Sequence, residues 1–576
     1  MTFVIRKSDF PIYIKNIIPL LITVNLLLLL AYVADHAFEW GLTVEDLKYV
    51  LPAFLLITFV AGMVLFFSSL EKLTSLFKPV RRETWILLLL VLVFAAYFRV
   101  SVVPHTHRIF FDEDLYIGIA NVIATEGKSE LCNYGSPTEC REGILNKEPN
   151  AYPFFVAVLY FILGASEPLV YHMFTMIGIA SVFLIFLVAY LLFEDELGAL
   201  FAALLLAFLP SHIVWTGSIS VELFFVFFSL LGFLFLLAYI RVEHGRLLLL
   251  ATVSLAFASQ SRPESSLFII VCFLTILLFK KGLLSELSSI RFWIPWMVLA
   301  ILLTPHIAHL KNAEETDDWG AGGRDKKFSW QVYDRQNREM RNFWFNGKMF
   351  PQAFTVFALI GVIYSLFYSR RILALSLVWF ALFFTLFLFF YAGGVLSGGI
   401  GTRFANIYSI PVILIASFGL GKLSSQFERI VKDKHIFPFL VLLVVLFSIQ
   451  STMDYITRPD PMAQYARDMH EFVYEHMDDI GPQCWTLTHN PSILIVPGKS
   501  SLQTWFGGNA KVMDRIFEES DDCVYFLEGA WCLFEPHKSG VCRTMQSRYD
   551  LEVSHRMVRE DDKSQVFTIY RVRRKN

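Results

Sequence analysis

Runs of about 20 apolar residues, each closed by a few polar ones, cover most of this chain. They fall near residues 12–33, 49–70, 85–103, 168–193, 198–213, 221–240, 247–261, 264–279, 293–310, 351–368, 372–392, 404–420 and 436–452. By the length needed to cross a hydrocarbon layer, this pattern predicts about thirteen transmembrane helices, an odd number that puts the two chain ends on opposite sides. The loops between them divide by charge. One set carries Arg6, Lys7, Lys15, Lys72, Lys78, Arg81, Arg82, Arg241, Arg246, Lys280, Lys281, Arg291, Arg370, Arg371, Lys422, Arg429, Lys432 and Lys434; the short loops of the other set carry Lys48, Arg262 and Arg403. Basic residues in short loops stay on the cytoplasmic side, so the N-terminus is expected in the cytoplasm and the C-terminus outside. The acidic turn Glu194-Asp195-Glu196 breaks the pattern, but acidic residues weigh little in that rule.

Composition agrees with the pattern. With 55% hydrophobic residues, 17% charged residues and a mean hydropathy of +0.54, the 576-residue chain falls outside the soluble globular range and within that of multi-pass membrane proteins. A formal net charge of −2 argues against a nucleic-acid partner. The first apolar run lacks a small-residue cleavage site and reads as a span, not a removable signal. Cys132 and Cys140 lie in the first long external loop, and Cys484, Cys523, Cys532 and Cys542 in the C-terminal segment; only Cys272 lies in a span. That placement suits an oxidising compartment, with Cys132–Cys140 and Cys532–Cys542 as the expected local pairs. No C-x-x-C spacing occurs, which argues against a zinc knuckle.

The expected fold class is therefore a polytopic α-helical membrane protein with a small external α/β C-terminal domain. Residues 1–84 would hold two N-terminal transmembrane helices, and 85–452 a transmembrane core with external loops 104–167 and 306–350. Residues 453–576 would form the extracytoplasmic domain. Within the first loop, residues 151–164 read as a helix lying along the outer surface. The second loop interleaves polar residues with Trp319, Trp330, Tyr333, Phe343, Trp344 and Phe345, as a lid or a solvated linker would. In the C-terminal segment the pattern predicts helices 461–476 and 509–519 and strands 485–488, 523–528, 550–558 and 565–573, the last two antiparallel. No dinucleotide fingerprint appears in that segment, and Gly398-Gly-Ile-Gly401-Thr-Arg403 lacks the lysine and helix context of a P-loop.

The candidate chemistry begins at Asp112-Glu113-Asp114, just after the third span. Three carboxylates there cannot face lipid, since each charge in hydrocarbon costs roughly 2.5 to 3.5 kcal/mol. Asp112 is placed to cap the helix that follows, which Gly127 would stop. Other polar residues map to the same leaflet: Lys147 and Glu148 from the first loop, Glu222 after Thr216-Gly-Ser-Ile-Ser-Val, Arg262 and Glu264 from the next hairpin, and Arg403 before a late span. Each alone reads as a cap or a snorkelling side chain. Together they offer carboxylates that can take a proton from a hydroxyl and guanidinium groups that can hold a departing phosphate.

Phe111-Asp-Glu-Asp-Leu-Tyr116-Ile-Gly-Ile-Ala-Asn121 resembles the Asp-Glu motif in the first external loop of GT-C glycosyltransferases, in the branch of protein O-mannosyltransferases and lipid A aminoarabinose transferases. Lys147-Glu-Pro-Asn-Ala-Tyr152-Pro, Phe208-Leu-Pro-Ser211 followed by Glu222, and Arg403-Phe404 match later segments in order; the resemblance spans roughly residues 85–420. Glu148 stands where the family often has Pro, and Glu222 where Asp is common. The Trp-Trp-Asp-Tyr-Gly motif of oligosaccharyltransferases is absent. The resemblance implies inverting transfer of one sugar from a polyprenyl-phosphate carrier to an acceptor hydroxyl of a protein, lipid or glycan. Asp112 would be the general base, with Glu113 orienting sugar or acceptor and Glu222 a second polar contact. Lys147, Arg262 and Arg403 would hold the donor phosphate, and Tyr116, Tyr152 and Glu148 would touch sugar or acceptor. No cofactor is demanded; a divalent metal on His105, His107 and Glu148 ranks behind the cationic side chains. The rival is a secondary transporter or flippase, which would place its charges near mid-membrane within internal repeats.

Overall fold

The computed structural model describes residues 43–282, 286–313, 329–390, 402–433, 435–458, 464–529, 532, 536–558 and 566–575. Among them seven helices are long and apolar enough to cross a membrane: α1 (Val44–Ser75), α2 (Arg82–Tyr97, continued to Val102), α5 (Glu167–Phe193), α8 (Val221–Val242), α11 (Ile290–Asn312), α14 (Arg370–Phe389) and α15 (Thr402–Val431). Between them run α3 (Phe110–Glu126), α4 (Ala151–Leu163), α6 (Glu196–Ala207), α7 (Pro210–Trp215), α9 (Gly245–Ser259), α10 (Phe268–Phe279), α12 (Tyr333–Phe345) and α13 (Gln352–Tyr368), with α16 (Ile436–Gln450) last. The expected spans from 49–70 onward all fall on helices, several of them shorter than a full crossing; the expected span 12–33 lies outside the described residues.

Burial orders these helices. Only 22% and 17% of the apolar windows of α1 and α2 are buried, against 83% and 94% for α8 and α15. The first two helices therefore line the rim, while α8 and α15, which carry Glu222 and Arg403, form the centre. Alpha 1 opens on a capping box in which Thr43 Oγ1 accepts from Asp46 N at 3.1 Å and Asp46 Oδ2 accepts from Thr43 N at 2.9 Å. Close crossings use glycine: a Cβ on Gly361 of α13 would stand 2.0 Å from the Ile415 carbonyl of α15.

The C-terminal domain contains the predicted elements as α17 (Gln464–Glu475), β3 (Trp485–Thr488), α19 (Ala510–Glu519), β5 (Val524–Glu528), β6 (Tyr549–Val558) and β7 (Val566–Arg574), with β6 and β7 antiparallel. It adds α18 (Ser492–Ile495), β4 (Ser500–Gln503) and α20 (Pro536–Arg548). The domain is not closed on itself. The first loop contributes a hairpin, β1 (Leu131–Gly135) and β2 (Cys140–Ile144), and the sheet runs β2-β1-β4-β3-β5-β7-β6 through Tyr134↔Leu502 and Gly135↔Ser501. Loop and domain thus share one sheet at one face of the membrane core. Both expected disulfides, Cys132–Cys140 and Cys532–Cys542, are present, and Cys484–Cys523 is the third.

Candidate functional site

Helix α3 starts at Phe110 with Ile109 as its N-cap, so Asp112 is the third helical residue and makes no cap bond. This corrects the capping expectation: the two phenylalanines ahead of the acid start the helix early, and the Asp112 carboxylate is left to find a tertiary partner. A helix turns about 100° per residue, so three consecutive acids point three ways. Asp112 Oδ2 meets Arg403 Nη1 at 3.2 Å. Glu113 turns inward, accepting from Arg108 N and from Ile219 N, both within 3.3 Å, and lying 2.6 Å from His107 Nδ1. Asp114 meets His470 Nε2 at 2.8 Å and Asn490 Nδ2 at 2.7 Å.

Only the first of these directions leads to open space, for the Asp112 side chain is 32% exposed while Glu113 and Asp114 are closed off. Arg403 joins Asp112 to a second acid. Its Nε lies 3.2 Å from Glu222 Oε1, and the same carboxylate oxygen lies 2.5 Å from Arg262 Nη1. Ser220 Oγ donates to the other Glu222 oxygen at 2.8 Å, and Arg262 Nε pairs with Glu264. Both guanidinium groups lie over the Phe404 ring, at 4.8 Å for Arg262 and 4.9 Å for Arg403. Three segments, the entry to α8, the hairpin after α9 and the start of α15, thus converge on one fully buried carboxylate.

Beside this set, Tyr116 of α3 donates to Glu148 Oε2 at 2.9 Å, and Asn146 Oδ1 accepts from Glu148 N at 2.9 Å. Burial, with the charge of Asp112 next in effect, raises the Glu148 carboxyl above the ordinary range against the pull of Lys147, Tyr116 and Arg262. Burial first, then Glu148 and Asp112, pushes the Tyr116 phenol well up, so it stays a hydrogen-bond donor. Lys147 is partly buried next to Glu148. Tyr152 is fully buried, its ring edge-on to Tyr116 at 5.0 Å and to Phe174 at 5.4 Å, which leaves it no surface for a sugar.

The three residues considered for a metal do not come together. His105 bonds Thr175 and stacks on Tyr171, Glu148 faces Tyr116, and His107 lies between Glu113 and Glu167. Burial would lower the His107 imidazole, but Glu167 and Glu113 outweigh it and raise it well above its ordinary value. Glu264, grouped with Arg262 from the sequence, pairs with it in the structure, and Ser220 joins the site without having been singled out.

Comparison with known proteins bears on this geometry. The chain superposes on ArnT from Cupriavidus metallidurans bound to undecaprenyl phosphate with a TM-score of 0.52, 10% identity, and coverage of 85% of this chain and 98% of that one. The chain has the GT-C fold. The GT-C match extends to the archaeal oligosaccharyltransferase AglB from Archaeoglobus fulgidus, solved with an inhibitory peptide and a dolichol-phosphate, at a TM-score of 0.50 and 11% identity, covering 83% of this chain and 74% of that one. The family model for dolichyl-phosphate-mannose-protein mannosyltransferase matches residues 147–309. That stretch holds Lys147, Glu148, Glu222, Arg262 and Glu264, while Asp112 and Arg403 lie outside it. None of the curated proteins matches the sequence. Within the GT-C fold, this is a multi-pass membrane protein whose first loop and C-terminal domain lie at one face.

Proposed function

We propose that this chain is a membrane glycosyltransferase that moves one sugar from a polyprenyl-phosphate carrier to an acceptor hydroxyl at the extracytoplasmic face, with inversion. The observation that carries the reading is the chain Asp112–Arg403–Glu222–Arg262, in which a partly open carboxylate stands against guanidinium groups held from behind by a buried acid. A half-open acid can accept the proton of an incoming hydroxyl. The acceptor's hydroxyl oxygen then attacks the anomeric carbon, the bond from that carbon to the phosphate oxygen breaks, and the lipid phosphate leaves with the electron pair. A single in-line displacement of this kind inverts the centre. The growing negative charge on the leaving group is met by fixed cations, which act before the step and need no reorganisation during it.

In this reading Asp112 is the base, and Arg403, Arg262 and Lys147 hold the donor phosphate. Glu222, fully buried, is a positioning residue that fixes both arginines. Glu113 is turned from the opening and positions α3, while Glu148, with Tyr116, stands beside the base for sugar or acceptor. The solved relatives named above hold undecaprenyl phosphate in one case and dolichol-phosphate with a peptide in the other, which supports a polyprenyl-phosphate donor and makes a peptide the first acceptor to try. Orientation rests on the disulfides: all three belong to the loop and domain at the Asp112 end, as an oxidising compartment would produce.

The test is Asp112→Asn, with transfer from a panel of polyprenyl-phosphate sugars and carrier binding measured separately on purified protein in nanodiscs. Loss of the base should lower transfer by about 10²- to 10⁴-fold and leave binding within a few-fold. Undiminished transfer would overturn the assignment of the base, and lipid-linked solute flux without any transfer by the unaltered protein would favour a flippase.

A further inference from the structure

Away from the opening, the other two acids of α3 enter a buried polar cluster joining three parts of the chain. His107 comes from the segment before α3, Asp114 from α3, Glu167 from the first turn of α5, and His470 from α17 of the C-terminal domain. The rings of His107 and His470 lie face to face, 3.5 Å between centroids. Each of these side chains has one atom turned outward and already engaged. His107 Nδ1 pairs with Glu113 at 2.6 Å, and His470 Nδ1 donates to the Ala466 carbonyl at 2.7 Å. Glu167 Oε2 accepts from Tyr474, and Asp114 Oδ2 from Asn490.

The remaining atoms fall in two pairs: His107 Nε2 is 2.9 Å from Glu167 Oε1, and His470 Nε2 is 2.8 Å from Asp114 Oδ1. The ligand atoms of His107, Glu167 and His470 lie within 4.8 Å of one another. We infer that His107, His470, Glu167 and Asp114 form a site for a divalent transition-metal ion with the preferences of zinc, which clamps the C-terminal domain to the membrane core.

Three features argue for a cation there. The far ring nitrogen of His107 lies against the Glu113 carboxylate and that of His470 donates to a backbone carbonyl, the outer arrangement that fixes a ligating imidazole with its Nε2 lone pair inward. Two nitrogens and the Glu167 oxygen within 4.8 Å of one another suit zinc, whose tetrahedral donors at about 2.0–2.1 Å stand about 3.4 Å apart, and Asp114 Oδ1, 2.8 Å from His470 Nε2, would turn inward as the fourth donor. Charge points the same way. The carboxylates of Glu113, Asp114 and Glu167 stand around the two rings, and one dication would serve the inward oxygens of Asp114 and Glu167 together. Two other histidine clusters are weaker. His476, Asp479 and His555 include an Asp479 that is 60% exposed, and His489 faces sulfurs already joined as Cys532–Cys542.

The full chain in nanodiscs, carrying His555→Ala to remove the surface cluster, is incubated with Zn²⁺, desalted, and its metal content counted by mass spectrometry alongside thermal midpoints. One equivalent should be retained and the midpoint raised by zinc, with both effects lost in His470→Gln and in Glu167→Gln and both kept in Asp112→Asn. Cobalt substituted for zinc should give the visible absorption of a tetrahedral nitrogen and oxygen site, a readout that needs no core variant. A folded His555→Ala protein that retains no zinc and shows no cobalt band overturns the inference, as does an ion that His470→Gln leaves in place or that Asp112→Asn removes. The reading does not depend on the glycosyl-transfer proposal, since none of these measurements involves turnover.

Discussion

Replacing Glu222 with Gln tests the arrangement of the arginines most directly. One oxygen of this carboxylate serves Arg262 at 2.5 Å and Arg403 at 3.2 Å, and the side chain is fully buried. At an effective dielectric constant near 20, a charge pair about 4 Å apart is worth about 4 kcal/mol, and the substitution removes two such pairs while the two guanidinium groups keep repelling each other. Desolvation relief offsets part of this, and Asp112 and Glu264 each still hold one arginine. The low end of the range for breaking a buried ion pair, about 3 kcal/mol, is therefore the expected loss. If it falls on the oriented, transition-state-binding arrangement, kcat drops by about 10²-fold. Any part that falls on ground-state phosphate binding raises the donor KM, while the acceptor KM should move by less than about threefold, and Glu222→Asp should recover part of the rate. Steady-state transfer by monodisperse protein, with a matched thermal scan, supplies the comparison. A Glu222→Gln enzyme with kcat and donor KM both within threefold of the parent, or one whose entire defect lies in the acceptor KM, would refute a positioning role.

Two further outcomes follow from other parts of the site. The Glu148 carboxyl is raised in the folded chain, so its ionisation weakens the fold as pH climbs from the unfolded value, about 4.3, through the folded one. Glu148→Gln should match the parent's thermal midpoint at pH 4 and exceed it at pH 8; an equal difference at both values would contradict the burial argument. A Cβ on Gly118 of α3 would stand 2.1 Å from Ser492 Oγ and 2.8 Å from Ser492 Cβ on α18, so Gly118→Val should force the C-terminal domain off α3 at a cost of about 1–3 kcal/mol. Faster proteolysis within residues 464–575, with the membrane core intact, is the expected sign; unchanged protection would show that the contact yields without cost.

The membrane helices and the polar residues at their ends were legible because lipid imposes a length on apolar runs and forbids stray charge. Glu222, Arg262 and Arg403 could therefore be grouped before their distances were known. The acid motif was only half legible. Its position marked the site, but the partners of Asp112, Glu113 and Asp114 lie on α15, on the preceding loop with α7's exit, and on α17, and no local pattern encodes which acid takes which. The pairing of β1 with β4 was hidden for the same reason: Tyr134 and Leu502 are matched by register across several hundred residues, and the hairpin's own sequence shows only a small disulfide loop.

That shared sheet also orders assembly. Strands β1 and β2 leave the ribosome before most of the membrane helices exist, yet their neighbour β4 is made only after α16. Until then β1 presents an open edge, and Asp114 of α3 lacks His470 and Asn490. A chain stopped after residue 452 would keep Asp112 beside Arg403 but leave Asp114, two residues on, without either partner, so the final setting of α3 waits on the last fifth of the polypeptide to emerge and zip up against a hairpin made long before.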